Sequence, residues 1–201
     1  MSLPTPYYDH DGITIYHGDC AEIMPHLGRF DLLLTDPPYP NGAGHFLAGI
    51  EKARQMIKQL PSDDALVFWG EMETPESTAY LVAKHVWHRS NTNRPDNYEM
   101  IYQFSTWKAD KRASRVISLP VVFPGLTGCK EATGHPTQKP EKLMLWCLSL
   151  FPKCIRVLDP FAGSGTTGRA CKDLGRQCVM IEQVEEYCEI AALRMAQEVL
   201  L

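Results

Sequence analysis

Short runs of strand-forming residues alternate with helix-compatible stretches along the chain, and some of these runs leave no face for water. Asp31-Leu32-Leu33-Leu34 is the clearest. Successive side chains of a strand point to opposite faces, so three leucines in a row require cover above and below. Strands buried on both faces and alternating with helices fold as an open α/β sheet with helices packed on each side. The pattern predicts strands over 13–16, 31–35, 65–69, 84–89, 98–104, 156–158 and 177–181. Helix ends are legible too. Asp19 with Glu22 resembles a capping box closed by Gly28, and Thr74-Pro75 reads as an N-cap with a first-turn proline. Pro140 opens a helix running to Phe151, residues 166–174 stop at Gly175, and 185–200 form a last helix. Pro40 to Gly44 is turn-rich, and 105–134 reads as a long irregular connection, a length that is usually functional or disordered.

The strand at 156–158 runs into Asp159-Pro160-Phe161-Ala162-Gly163-Ser164-Gly165-Thr166-Thr167-Gly168. Glycines between a strand and a helix let backbone approach a ligand while helix N–H groups face it. Glu182, at the end of the next strand, is placed to accept from ribose hydroxyls. Taken alone, the motif is also compatible with a plain tight turn or a nicotinamide site. Nineteen residues follow Glu182, room for one helix, so upstream sequence is expected to supply the rest of the sheet, against a dinucleotide fold starting here. No Lys follows the glycines where a P-loop needs one.

Thr35-Asp36-Pro37-Pro38-Tyr39-Pro40 directly follows the leucine strand. The carboxyl end of a strand is where open α/β sheets bind ligands. An aromatic exocyclic amine is a poor nucleophile, because its lone pair is delocalised into the ring. Two acceptors, the Asp36 carboxylate and the Pro37 carbonyl, would hold its protons and steer the lone pair outward. The two prolines fix φ and keep that carbonyl in one direction. Tyr39 offers a flat face for a base turned out of its stack.

These two motifs resemble the catalytic and cofactor motifs of amino-group (N6-adenine/N4-cytosine) DNA methyltransferases. Their order, catalytic motif first, resembles the circularly permuted beta group of that family. So do His135-Pro136-Thr137-Gln138-Lys139-Pro140 before the glycine turn, Gly18-Asp19 ahead of the catalytic strand, and the tail from Ile181 to Arg194. The resemblance covers about residues 12–40 and 135–195. It implies a Rossmann-like S-adenosylmethionine-dependent methyltransferase fold with a mostly parallel, seven-stranded sheet, a final antiparallel pair and helices on both faces.

The implied site follows residue by residue. Asp36, Pro37, Pro38 and Tyr39 hold the target base. Phe161, Gly163 and Gly165 line the methionine part of S-adenosylmethionine, with Thr166 and Thr167 near its carboxylate, and Asp159 is counted with them. Glu182 binds the ribose, Asp19 sits near the adenine, and His135, Thr137 and Lys139 lie beside the methionine tail. The implied activity is direct methyl transfer to a flipped-out base without metal, adenine N6 ahead of cytosine N4, since relatives acting on cytosine more often carry Ser at position 36. Attack through a ring carbon would need a nucleophilic thiol, typically in a Pro-Cys step that this sequence lacks. Methylation of RNA or a protein amide, and a silent nucleic-acid-binding module, are the rivals.

A length of 201 residues fits one domain over 1–201, and hydrophobic residues at 44% with charged residues at 22% are ordinary for a globular chain. The seven cysteines form no CxxC pair, and Met1 to His10 carries no export signal, so a cytoplasmic protein is expected, and the resemblance implies a prokaryotic or phage origin. The net charge of −4 lowers the expectation of tight sequence-independent DNA binding. Within 105–134, Lys108, Lys111, Arg112 and Arg115 are candidate phosphate contacts, with Trp107 or Phe123 as wedges, weighed evenly against a solvated loop. Double-stranded DNA is the expected partner. With so little chain for target recognition, a short site or help from a second subunit or a separate recognition or restriction partner is expected.

Overall fold

The structure is a computed structural model that describes residues 3–38, 47–70, 74–92, 97–107, 112–122, 132–133 and 135–198. Its strands in chain order are β1 (Tyr8–His10), β2 (Ile13–His17), β3 (Phe30–Thr35), β4 (Ser62–Trp69), β5 (Tyr80–Arg89), β6 (Tyr98–Ser105), β7 (Val116–Leu119), β8 (Arg156–Asp159) and β9 (Gln177–Glu182). The helices are α1 (Cys20–Ile23), α2 (Leu47–Lys58), α3 (Glu141–Ser149), α4 (Thr166–Asp173) and α5 (Glu185–Ala196).

The strands form one sheet in the order β1-β2-β9-β8-β3-β4-β6-β5-β7. All run one way except β1 and β6, so the sheet is mostly parallel. The reversed β6 lies between β4 and β5 and supplies the expected antiparallel pairing. Seven strands match the seven expected. The described sheet nevertheless has nine, because β1 and β7 extend its two edges. Both are short, Tyr-Asp-His and Val-Ile-Ser-Leu, so neither gives a period-2 signal long enough to read. β7 lies inside the stretch read as an irregular connection.

The three leucines of β3 divide as the pleat requires. Leu32 and Leu34 join a core beneath α3, α4 and α5, where Leu143, Cys147, Cys171, Cys188 and Ala191 pack against them. Leu33 joins the opposite core with Ala53, Met56 and Ile57 of α2. Cys20 and Ile23 of α1 cover Tyr16 and Ile181 in a third cluster. No helix among the described residues is long and apolar enough to cross a membrane.

Two helix expectations need correction. Thr74-Pro75 starts no helix. The segment after α2 is irregular, and its Ser77 and Thr78 hydroxyls donate to Ile57 O and Lys58 O at 2.6 and 2.7 Å, satisfying orphan carbonyls at that helix's end. The helix capped by Asp19 is a single turn, which passes into a 3-10 turn over Met24–His26 where Pro25 ends the α ladder. Helix α2 itself went unread, although Ala53, Met56 and Ile57 carry helical spacing.

Candidate active site

Parallel pairing decides which loops meet. β3 lies beside β8 through Leu32–Val157 and Leu33–Leu158, β9 follows β8, and β2 follows β9. The carboxyl ends of these four strands carry Asp36, Asp159, Glu182 and Asp19 to one edge of the sheet. There they line a cleft of about 700 Å³ with Pro37, Pro38, His135, Thr137, Lys139, Phe161, Gly163, Thr166 and Thr167. Two segments more than a hundred residues apart in sequence thus share one concavity.

Asp159 ties them together. It is 4% exposed, and its carboxylate accepts from the Thr35 hydroxyl at 2.9 Å, the Thr167 hydroxyl at 2.6 Å and the Phe161 N–H at 3.2 Å. Thr35 directly precedes Asp36, so this one side chain binds the acidic loop, the glycine turn and the first turn of α4. Burial outweighs these donors and pushes its pKa from 3.8 up to about 6.

The glycines divide by task. Gly163, at φ +51°, donates its N–H to Glu182 Oε2 at 2.8 Å, and a Cβ there would stand 3.1 Å from His135 Nε2. Val184 donates to the other Glu182 oxygen at 2.8 Å, so two backbone donors fix this carboxylate at the cleft. Gly165, at φ +74°, faces away from the cleft. A Cβ on it would fall 2.8 Å from Ala191 Cβ, so it is the close approach of α5 that demands glycine there.

Lys139 is turned toward the acidic loop. Its ammonium is 10% exposed and pairs with Asp36, and with Glu99 Oε1 at 3.3 Å, above the rings of Phe68 and Trp87. Burial works against the ammonium, but the two carboxylates outweigh it and hold its pKa above the ordinary lysine value. Asp19 caps α1 by accepting from Ala21 N–H at 2.9 Å and also pairs with Lys52. His135 lies edge-on to Tyr187 with centroids 4.4 Å apart, and burial pushes its imidazole below the usual histidine pKa.

Tyr39, Lys108, Lys111 and Phe123 lie outside the described residues. Arg112 and Arg115 line a separate cavity of about 450 Å³ with His85 and Gln103. His85 meets a neighbouring side chain, its Nε2 lying 3.0 Å from Gln103 Oε1. Four residues with contacts at or behind the cleft were given no role from the sequence: Lys52 and Glu99, and Tyr187 and Arg194 within the tail that carries part of the resemblance. Arg194 left a signal, because it is a cation on the helical face of Ala191 and Met195. It is 6% exposed and donates to Ser164 O at 3.1 Å, Thr166 Oγ1 at 3.0 Å and Glu141 Oε1 at 3.1 Å. Glu99 left a fainter one, a carboxylate in strand register with buried Ile101.

An open, mostly parallel sheet with a glycine turn, a fixed carboxylate and an acidic proline loop at one edge defines an α/β methyltransferase. The sequence profile of the DNA methylase family matches residues 78–193. The chain belongs to this family, the N6/N4 amino-methyltransferases. It is 25% identical to the Type II methyltransferase M.ScaI of Streptomyces caespitosus, over 98% of this chain and 86% of that one. The crystal structure of the M1.HpyAVI–SAM complex superposes with a TM-score of 0.66 at 26% identity, covering 90% of this chain and 99% of that one. The cytosine-N4-specific PvuII DNA methyltransferase shares the fold, with a TM-score of 0.72 at 17% identity over 98% of this chain and 90% of that one.

Proposed function

We propose that this DNA methyltransferase acts on the exocyclic amino group of adenine, with S-adenosylmethionine as methyl donor. The observation that carries the reading is the shared cleft of Asp36 and the glycine turn. The cleft suits the donor's chemistry at several points. The Glu182 carboxylate, fixed by two N–H groups, faces ribose hydroxyls, and Asp19 lies toward the adenine end. Phe161, Gly163, Thr166, Thr167, His135 and Thr137 surround the methionine part, with Gly165 and Asp159 holding the turn from behind. Bound there, S-adenosylmethionine supplies an electrophilic sulfonium methyl.

The protein's own residues then align and polarise the accepting amine. The Asp36 carboxylate and the Pro37 carbonyl accept its two N–H groups, and Pro38 keeps that carbonyl directed. Tyr39 stacks on the flipped base. The reading uses no metal and no covalent intermediate. DNA is held as a duplex by a single domain, and with 105–134 as the stretch available for target recognition a short site is expected, or a second subunit or a restriction-modification partner that completes recognition.

The test is incubation with labelled S-adenosylmethionine and mixed duplexes, followed by nucleoside analysis. Label in N6-methyl-2′-deoxyadenosine is expected. Label in N4-methyl-2′-deoxycytidine would move the target to cytosine, the reading that keeps the same grip. Label confined to RNA or protein would overturn the substrate. Asp36→Ala should abolish transfer while calorimetry still registers donor binding.

A further inference from the structure

Lys139 poses an electrostatic problem for the acidic grip. As the N–C bond forms and the methyl leaves sulfur, the accepting amine gains positive charge before it sheds a proton to water, so the grip must present negative charge at that moment. An Asp36 carboxylate paired with an ammonium presents none to speak of, because the pair is formally neutral. Here the pairing is shared. Lys139 also contacts Glu99 at 3.3 Å, and Glu99 is as enclosed as the lysine, each side chain 10% exposed against 23% for Asp36. The formal charges of the three side chains therefore leave one net negative charge beside the amine. The floor beneath them is apolar, with Nζ 5.2 Å from the Phe68 centroid and 6.0 Å from that of Trp87. In such surroundings a charge is weakly screened, and burying a third one is costly unless it has work to do.

We propose that Glu99 is a positioning residue that sets the charge of the Asp36 grip through Lys139, dividing the lysine's charge so that Asp36 keeps its own. This rests on the reading of Asp36 given above. Lys139 fixes the carboxylate in place, and Glu99 prevents that fixing from neutralising it. On this account the expected defect of Glu99→Gln lies in turnover, since the developing charge exists only in the transition state. The charge count also dictates a cure: removing the lysine as well returns the group to one negative charge.

The experiment measures kcat and KM for methyl transfer to a duplex, donor affinity by calorimetry and thermal unfolding. It compares the full chain with E99Q, E99A, K139M, E99Q/K139M and D36A. E99Q should lose about tenfold to a hundredfold in kcat, with KM and donor affinity within about twofold of the parent. E99Q/K139M should recover a large part of that loss, a sign that a packing role for Glu99 would not produce. Unchanged turnover in E99Q, or a double variant no faster than E99Q, would overturn the proposal. So would loss of the thermal transition in both E99Q and Glu99→Ala, because the proposal assigns Glu99 to charge and not to stability. Retained turnover in D36A would sink the reading of Asp36 itself, a failure visible separately from that of Glu99.

Discussion

Asp159 shows how a single buried carboxylate can govern both architecture and pH response. Its pKa stands at about 6 against an ordinary 3.8, a difference on the order of 3 kcal/mol between protonation states. A folded pKa above the unfolded one means that protonation favours the folded chain. The associated stability is complete below about 4 and is lost as pH rises through about 6. Asp159→Asn removes the buried charge while its amide oxygen still accepts from Thr35 and Phe161, and the Thr167 hydroxyl can turn to accept from the new N–H. The variant should therefore gain thermal stability relative to the parent as pH climbs from 4 to 7. Melting scans across that range check it, and a difference that stays flat or moves the other way refutes it. Gly165→Ala should act in the opposite sense. It sets a side chain at φ +74°, 2.8 Å from Ala191, and should lose about 2 kcal/mol in denaturant titrations. Both glycines and Asp159 were legible in the sequence as members of a turn. Their separate tasks were not, because burial and the approach of α5 are properties of packing.

At the scale of elements, long apolar runs were readable and mixed ones were not. The strands of the sheet's body were read from their apolar residues, or for short β8 from the glycine turn it runs into, whereas three-residue β1 and four-residue β7 lie at the edges with no such neighbour to mark them. Thr74-Pro75 failed as a helix start because the hydroxyls just beyond it serve the end of α2. Residue type alone cannot say which helix a capping group belongs to. Helix α5 carries the clearest hidden contribution. Its Arg194 reaches through the core to hold Ser164 and Thr166, so the glycine turn is braced from behind by an element that touches the cleft mainly through Tyr187. Arg194→Met removes these donors and leaves the Ser164 carbonyl buried without them. Donor affinity should weaken about tenfold or more, with stability falling by about 1–3 kcal/mol. Calorimetry beside thermal unfolding separates the two effects, and a variant with the parent's donor affinity would show that the turn holds its shape without α5.

For the whole molecule, the crossing of β3 beside β8 matters most, since it turns the order of motifs along the chain into adjacency in space. The sequence suggested that arrangement through motif order, but it said little about the charge of the resulting surface. The chain carries a net −4, and the two lysines lining the cleft are each committed to a carboxylate, Lys52 to Asp19 and Lys139 to Asp36 and Glu99. Arg112 and Arg115 stand over a different cavity, beside His85 and Gln103 in the body of the β5–β6 pair. Among the described residues, the cations that line the cleft are thus already paired, and on that ground duplex affinity should depend on salt only weakly. Each neutralised phosphate contributes about −0.9 to the slope of log K against log salt. We expect a slope no steeper than about −4 for random duplex between about 50 and 200 mM salt, with binding too weak for electrophoretic shift at the upper end. Fluorescence anisotropy over that range decides it. A slope near −6 or steeper would mean that phosphates are met by cations away from the cleft, on the surrounding surface, within 93–96, 108–111 or 123–131, or on a second copy, and would move the weight of DNA recognition there.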